Sequence, residues 1–218
     1  TVLLCMMAWL PSQLNLASQM LLVVSSSDVD GMILADFEAG VLPDMVTFTE
    51  DGSYVVSANE GEPSDDYSID AEGSVTVIDL TGGLESAVVS QVTFESLNEM
   101  SPEGLRIFGP NATPAQDVEP EYVATSGTTA FVTLQENNAI AVIDLASASL
   151  INVFVLGTKD HSVEGNGLDA SNEDGGINIQ TWPVNGLYLP DAIAAYEVDG
   201  TTYIFTANEG DSRDYDGF

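Results

Sequence analysis

LPDMVTFTEDGSYVVSANEG, Leu42 to Gly61, decides the fold. It reads as a proline and a carboxylate, a short apolar strand, an Asp-Gly turn, a second strand rich in β-branched residues, and then an amide followed by Glu60. The same grammar returns in EPEYVATSGTTAFVTLQENN (Glu119 to Asn138) and in LPDAIAAYEVDGTTYIFTANEG (Leu189 to Gly210). The prolines that open the three units, Pro43, Pro120 and Pro190, lie 77 and 70 residues apart, so each period holds more than one simple repeat and must carry insertions.

Working outward, the first two units continue into a matched third strand, GSVTVIDL (Gly73 to Leu80) and AIAVIDL (Ala139 to Leu145). A fourth apolar run follows each, ESAVVSQVTF (Glu85 to Phe94) and ASLINVFVLG (Ala148 to Gly157). Four antiparallel strands per unit is the arithmetic of a propeller blade. Upstream, MLLVVSSSD (Met20 to Asp28) and GMILADFE (Gly31 to Glu38) fit the last two strands of an earlier blade. The sequence therefore predicts an all-β chain, a partial β-propeller of four-stranded antiparallel blades. Residues 1–19 stand outside the repeat. They are followed by a half blade at 20–41, a blade at 42–94, an insertion at 95–118, a blade at 119–157, an insertion at 158–188 and a half blade at 189–218. Propellers close with at least four blades, so the expectation is a piece of a larger propeller.

Charge narrows the function. With 35 Asp and Glu against 3 Lys and Arg, the formal net charge is −32, which excludes a nucleic-acid partner, since phosphate binding needs a basic face. Metal cations and other basic partners are the natural company of such a surface, and a saline or marine setting would screen its self-repulsion. Apolar residues make up 44% of the chain, enough for a core. Cys5 is the single cysteine, so the chain forms no internal disulfide and no cysteine-based zinc site. The apolar opening stretch, Thr1 to Leu10, has no basic flank and is stopped by Pro11, which predicts no membrane insertion.

In a propeller the innermost strand runs first, so its start and the end of the second strand share a face. Asp44, Glu121 and Asp191 then converge near the central channel with Asn59-Glu60, Gln135-Glu136 and Asn208-Glu209, and Asp211 and Asp214 follow close behind. Carboxylates crowded at one mouth repel unless protonated or bridged, and calcium, which takes six to eight oxygens, suits them. The competing reading is that each repeated carboxylate orders its own turn. Asp169, Asn172, Glu173 and Asp174 in LDASNEDGG have the composition of a calcium loop without EF-hand spacing. The insertions and the last segment hold every cation and the only histidine: Arg106, Lys159, His161 and Arg213. These could grip an anionic group such as phosphate beside a metal, or pair locally with acids. No P-loop, dinucleotide fingerprint, H-E-x-x-H or G-x-S-x-G is present.

The phrases LPDMVTFTEDG, ANEGEPSDDYSIDAEGSV, EGLRIFGP, EPEYVA, VTLQENNAIAVIDL, LGTKDHS, GNGLDASNEDGGINI, PDAIAAY and TANEGDSRDYDGF, in order from about Gly31 to Phe218, resemble the choice-of-anchor I family of secreted bacterial proteins. The domain is similar to cell-surface glycoproteins of biomineralising animals, and members are often labelled alkaline phosphatase-like. The resemblance implies a seven-bladed propeller, exported and held at the cell surface by a separate C-terminal anchor. Residues 1–27 do not resemble the family's upstream blades. Residues and resemblance together predict an extracellular, non-enzymatic module that binds Ca2+ and offers an acidic face to cations, mineral, polysaccharide or matrix. The alternative is a calcium-dependent, alkaline phosphatase-like phosphoesterase, with Arg106, Lys159, His161 and Arg213 holding phosphate.

Overall fold

Short β-branched runs cannot bury an apolar face alone, and tight turns between them let each run pair with the next. The computed structural model describes residues 2–8, 19–27, 34–64 and 66–210, with side chains from residue 34 onward. Strands β1 (Val2–Ala8), β2 (Gln19–Ser27) and β3 (Ala35–Val41) form a three-stranded antiparallel sheet. The second sheet is a four-stranded meander of β4 (Pro43–Phe48), β5 (Tyr54–Asn59), β6 (Ser74–Asp79) and β7 (Val88–Thr93). Two short helices, α1 (Ser96–Glu99) and α2 (Pro114–Asp117), lie in the first insertion. The third sheet repeats the meander with β8 (Pro120–Ser126), β9 (Thr129–Leu134), β10 (Ala139–Asp144) and β11 (Ser149–Val155).

The second insertion is a folded arm. Its β12 (Thr158–Asp160) and β15 (Asn185–Leu187) pair at the base, and β13 (Leu168–Asp169) pairs with β14 (Ile179–Gln180) further out. The last pair is β16 (Pro190–Val198) with β17 (Thr201–Asn208), joined at Asp199-Gly200, both at positive φ (51 and 74) as a tight primed turn requires. Among the described residues the chain is all-β with little helix, and no sheet closes into a barrel. Among the described residues no helix is long and apolar enough to cross a membrane.

The first strands of the three units lie side by side, β4 against β8 and β8 against β16. Between the two four-stranded sheets runs the main core. Val56, Ala58, Val75 and Phe94 of one sheet meet Val132, Leu134, Ala141 and Ile143 of the next, all nearly excluded from water. Each Val, Leu, Ile or Phe among them contributes about 1.5–3 kcal/mol of transfer free energy, and the alanines less. The opposite face of the β4–β7 sheet receives β3, whose Phe37 and Ala39 pack on Val55 and Ile78. The sequence predicted two strands upstream of the first unit. The structure has three, because the apolar opening stretch pairs with β2 from Val2↔Ser27 to Ala8↔Leu21.

The repeat also slips in one place. Pro43 opposes Asn59 and Pro190 opposes Asn208, whereas Pro120 opposes Leu134. By register Leu134, not Gln135, stands where the other units hold asparagine. The amide-Glu pair Gln135-Glu136 thus sits one residue beyond its counterparts, a correction to the sequence alignment of the three units.

Gly73 makes the joint between units possible. A Cβ there would strike the Val118 carbonyl oxygen, which is backbone, and come within 2.6 Å of Pro120 Cδ. Gly73→Ala is therefore expected to lower stability by about 1–3 kcal/mol, the usual cost of overpacking. A denaturant midpoint equal to the parent's would show that the joint is not tight.

Candidate functional site

Every first strand opens with a bulge, and the bulge carries the carboxylate. Pairing is irregular between Pro43 and Met45, between Pro120 and Val123, and between Pro190 and Ile193, which puts Asp44, Glu121 and Asp191 at the unpaired positions. A bulge bends the strand and re-aims the side chain it frees. Leu42 and Leu189, immediately before two of these prolines, are held at φ 48 and 45. Leucine rarely adopts that region, and such strain costs on the order of 1–3 kcal/mol and persists only where the surroundings enforce it.

The second strands deliver the other half. Glu60 follows β5, with its N–H donated to the Leu42 carbonyl (2.9 Å), and Glu136 follows β9 and is buried. The five carboxylates Asp44, Glu60, Glu121, Glu136 and Asp191 feel one another directly. Burial, then Asp44, Glu62 and Glu136, push the Glu60 carboxyl up to about 8. Burial and then Glu136, by charge and by a hydrogen bond between the two carboxyls, raise Glu121 far above the carboxylate range. Asp44 is raised by burial and then by Asp191. At neutral pH this group holds protons that ordinary carboxylates have lost.

The other repeated aspartates behave in the opposite way. Asp51, Asp79, Asp144 and Asp160 accept backbone N–H groups from Ser53, Thr81, Ser147 and Ser162, at 2.7–2.9 Å, and their carboxyls are lowered by those bonds and by neighbouring hydroxyls. These are turn-ordering residues. Asp51, Asp79 and Asp144 order turns in the two meanders, and the bulge carboxylates with their glutamate partners do not.

A family model of the choice-of-anchor I domain matches residues 12–218, reaching further toward the N-terminus than the phrases beginning at Gly31. The chain belongs to the choice-of-anchor I family. Choice-of-anchor I domains are extracellular and surface-associated. No curated protein matches this one. Among solved structures it is similar to hydrazine synthase of Kuenenia stuttgartiensis, 10% identical with a TM-score of 0.41, over 88% of this chain and 56% of that one.

Within this choice-of-anchor I domain the remaining candidates scatter. Arg106 donates to the Glu136 carbonyl (2.7 Å) and lies 4.1 Å from the centroid of the Phe108 ring, so it buttresses the carboxylate group from the first insertion. Lys159 is exposed on β12. The His161 Nδ1 meets the Asn166 carbonyl at 2.6 Å, and its ring lies against Gly186. Histidine here fastens the arm. Glu209 is exposed beyond β17, close enough to act on Tyr122. Asp211, Arg213 and Asp214 lie outside the described residues. In the LDASNEDGG stretch, Asp169 accepts from Ser171 N (3.3 Å) and Asn178 N (3.0 Å), and Asp174 from Gly176 N (3.3 Å), so both carboxylates order their own loop.

The first of the repeated amides, Asn59, is structural as well. Asn59 Nδ2 donates to Ser74 and to Thr76 Oγ1 (3.0 Å), while Ser57 Oγ donates to its carbonyl oxygen. Sequence reasoning missed Tyr122. Half-buried, it is raised chiefly by Asp191 and Asp44, which places its ring among the bulge carboxylates. Its signal was its place two residues after Pro120, inside the bulge.

Proposed function

We propose that this domain is an exported, non-enzymatic β-propeller module whose inner carboxylate group takes up calcium, and whose acidic surface meets mineral, polysaccharide or matrix outside the cell. The observation that carries the reading is the gathering of Asp44, Glu60, Glu121, Glu136 and Asp191 from three successive units, two of them raised far enough to hold protons. The adjacent first strands and repeated meanders support blades around a common axis.

The donor set is all oxygen, which suits a hard cation. Among the described residues no group of three His, Cys, Asp or Glu stands close enough to hold a metal outright. Calcium in this reading is held by one or two carboxylates at a time, Glu121 with Glu136 foremost, and completes its shell with water. Affinity on the order of 10⁻⁴–10⁻³ M, as in extracellular modules, follows. A phosphoesterase would need the anion-holding side chains beside the carboxylates. Arg106 does lie beside Glu136, with its guanidinium engaged on that residue's carbonyl, and His161 is held within its own arm.

The test is a thermal melt of the complete protein in chelator and in millimolar calcium. Calcium is expected to raise Tm, by the linkage of any ligand that binds only the folded state, and Glu121→Gln to blunt the rise. A melt unchanged by calcium would refute cation binding here.

A further inference from the structure

A second site lies on the other side of the β4–β7 sheet. We infer that the cleft between β3 and the outer strands β6 and β7 binds a neutral saccharide. The cleft is open to solvent, has a volume of about 630 Å3 and shares no lining residue with the carboxylate group. Its size falls in the range of small-molecule sites.

The lining is made by strand alternation. Val89, Gln91 and Thr93 point from β7 toward β3, and all three are exposed. Phe37 and Ala39 turn down onto Val55 and Ile78, which leaves Asp36 and Glu38 facing outward along the cleft. Glycine sets the closeness of the two walls. A Cβ on Gly40 would come within 2.7 Å of Asn59 Nδ2, so β3 lies directly on the polar floor.

That floor is a directed chain of hydrogen bonds. Asn59 Nδ2 donates to Thr76 Oγ1 (3.0 Å), the Gly40 N–H donates to the same oxygen (3.2 Å), and Thr76 Oγ1 donates to Gln91 Oε1 (3.0 Å). With its oxygen engaged, Gln91 presents its Nε2 hydrogens as donors to the cleft, and no described residue accepts them. Asp36 and Glu72 supply acceptors at the rim, and Thr93 a hydroxyl that does both. A ligand answering this set donates and accepts at neighbouring atoms around a compact ring, as the hydroxyls of a sugar do. Val89, 39% exposed, gives its apolar face a place to rest. The rim carboxylates repel uronates and sulfated sugars, which selects neutral units.

Calorimetric titration of the full chain with cellotetraose, maltotetraose and N-acetylated chitotetraose tests this, in 0.5 M salt so that charge alone contributes little. At least one neutral tetraose is expected to bind saturably. The exposed-face double variant Gln91→Ala/Thr93→Ala should weaken it about tenfold or more. Glu60→Gln should leave the titration unchanged, which separates this cleft from the calcium reading. Three outcomes would overturn the inference: no neutral tetraose binds, the double variant binds as the parent does, or only deacetylated, cationic chitotetraose binds and salt abolishes it.

Discussion

Glu60→Gln and Glu121→Gln proteins are expected to melt higher than the parent at pH 8 and to lose that advantage at pH 5. Folding raises the Glu60 carboxyl from 4.5 to about 8, so between those values the folded chain binds a proton that the unfolded chain has released. Stability therefore falls as pH rises through this window. The contribution is fully present below about 4.5 and gone above about 8. Glu121 adds to the slope in the same direction, because its own burial and then its neighbour Glu136 disfavour the charge. Glutamine keeps the shape and never ionises. Discounted for the partial exposure of Glu60, the gain at pH 8 is on the order of 2–3 kcal/mol. Melts from pH 5 to pH 9 in chelator measure it. A parent that grows more stable toward pH 8 would contradict the account. Calcium should restore part of the parent's lost stability at pH 8, where protons no longer neutralise the group.

The second large effect belongs to Asp117, in the first insertion. It is fully buried and accepts from the Phe108 and Gly109 backbone N–H groups and from Asn137 Nδ2. Asn137 in turn donates to the Arg106 carbonyl (3.0 Å) and accepts from Glu119 N (3.3 Å). The helix that carries Asp117 begins at Thr113 with a reciprocal capping box to Gln116. Asp117→Ala takes the acceptor from the Phe108 and Gly109 N–H groups, while Asn137 Nδ2 keeps the Arg106 and Asp117 carbonyls, and is expected to cost about 2–5 kcal/mol. Asp169→Ala, on an exposed loop, should cost no more than about 0.5 kcal/mol. Urea midpoints of the two variants make the comparison. Equal values would mean that the insertion is not locked to the sheets through Asp117.

What the sequence showed and what it hid divide along physical lines. Strand order was legible because Pro-carboxylate openings, Asp-Gly turns and V-I-D-L strands recur in order, and repeated patterns report repeated backbone. The convergence of Asp44, Glu60, Glu121, Glu136 and Asp191 followed from that order. The one-residue displacement at Leu134 did not. It arises from pairing across strands, and Gln-Glu after β9 looks like Asn-Glu after β5 until the register is seen. The Asp117–Asn137 clasp was hidden for a different reason. Two isolated polar residues in or beside an insertion carry no period, and only burial reveals that they serve the backbone around them. His161 and Arg106 looked like chemistry because cations are rare here. In the fold each has a structural partner as well, Arg106 the Glu136 carbonyl and His161 the Asn166 carbonyl.

Asn138 closes the arm between residues 157 and 188. Held at φ 54, it donates to the Gly157 carbonyl (2.7 Å), accepts from the Tyr188 and Leu189 N–H groups, and takes the Leu156 N–H on its own carbonyl. Both ends of the arm are thus tied to one side chain in the sheet. Because the closure entropy of a loop grows only slowly with its length, whatever lies between those ties can lengthen, shorten or change composition while the sheet stays as it is. The domain carries a docking port for evolution, and for an engineer: a site where a foreign recognition loop can be inserted with its two ends already held.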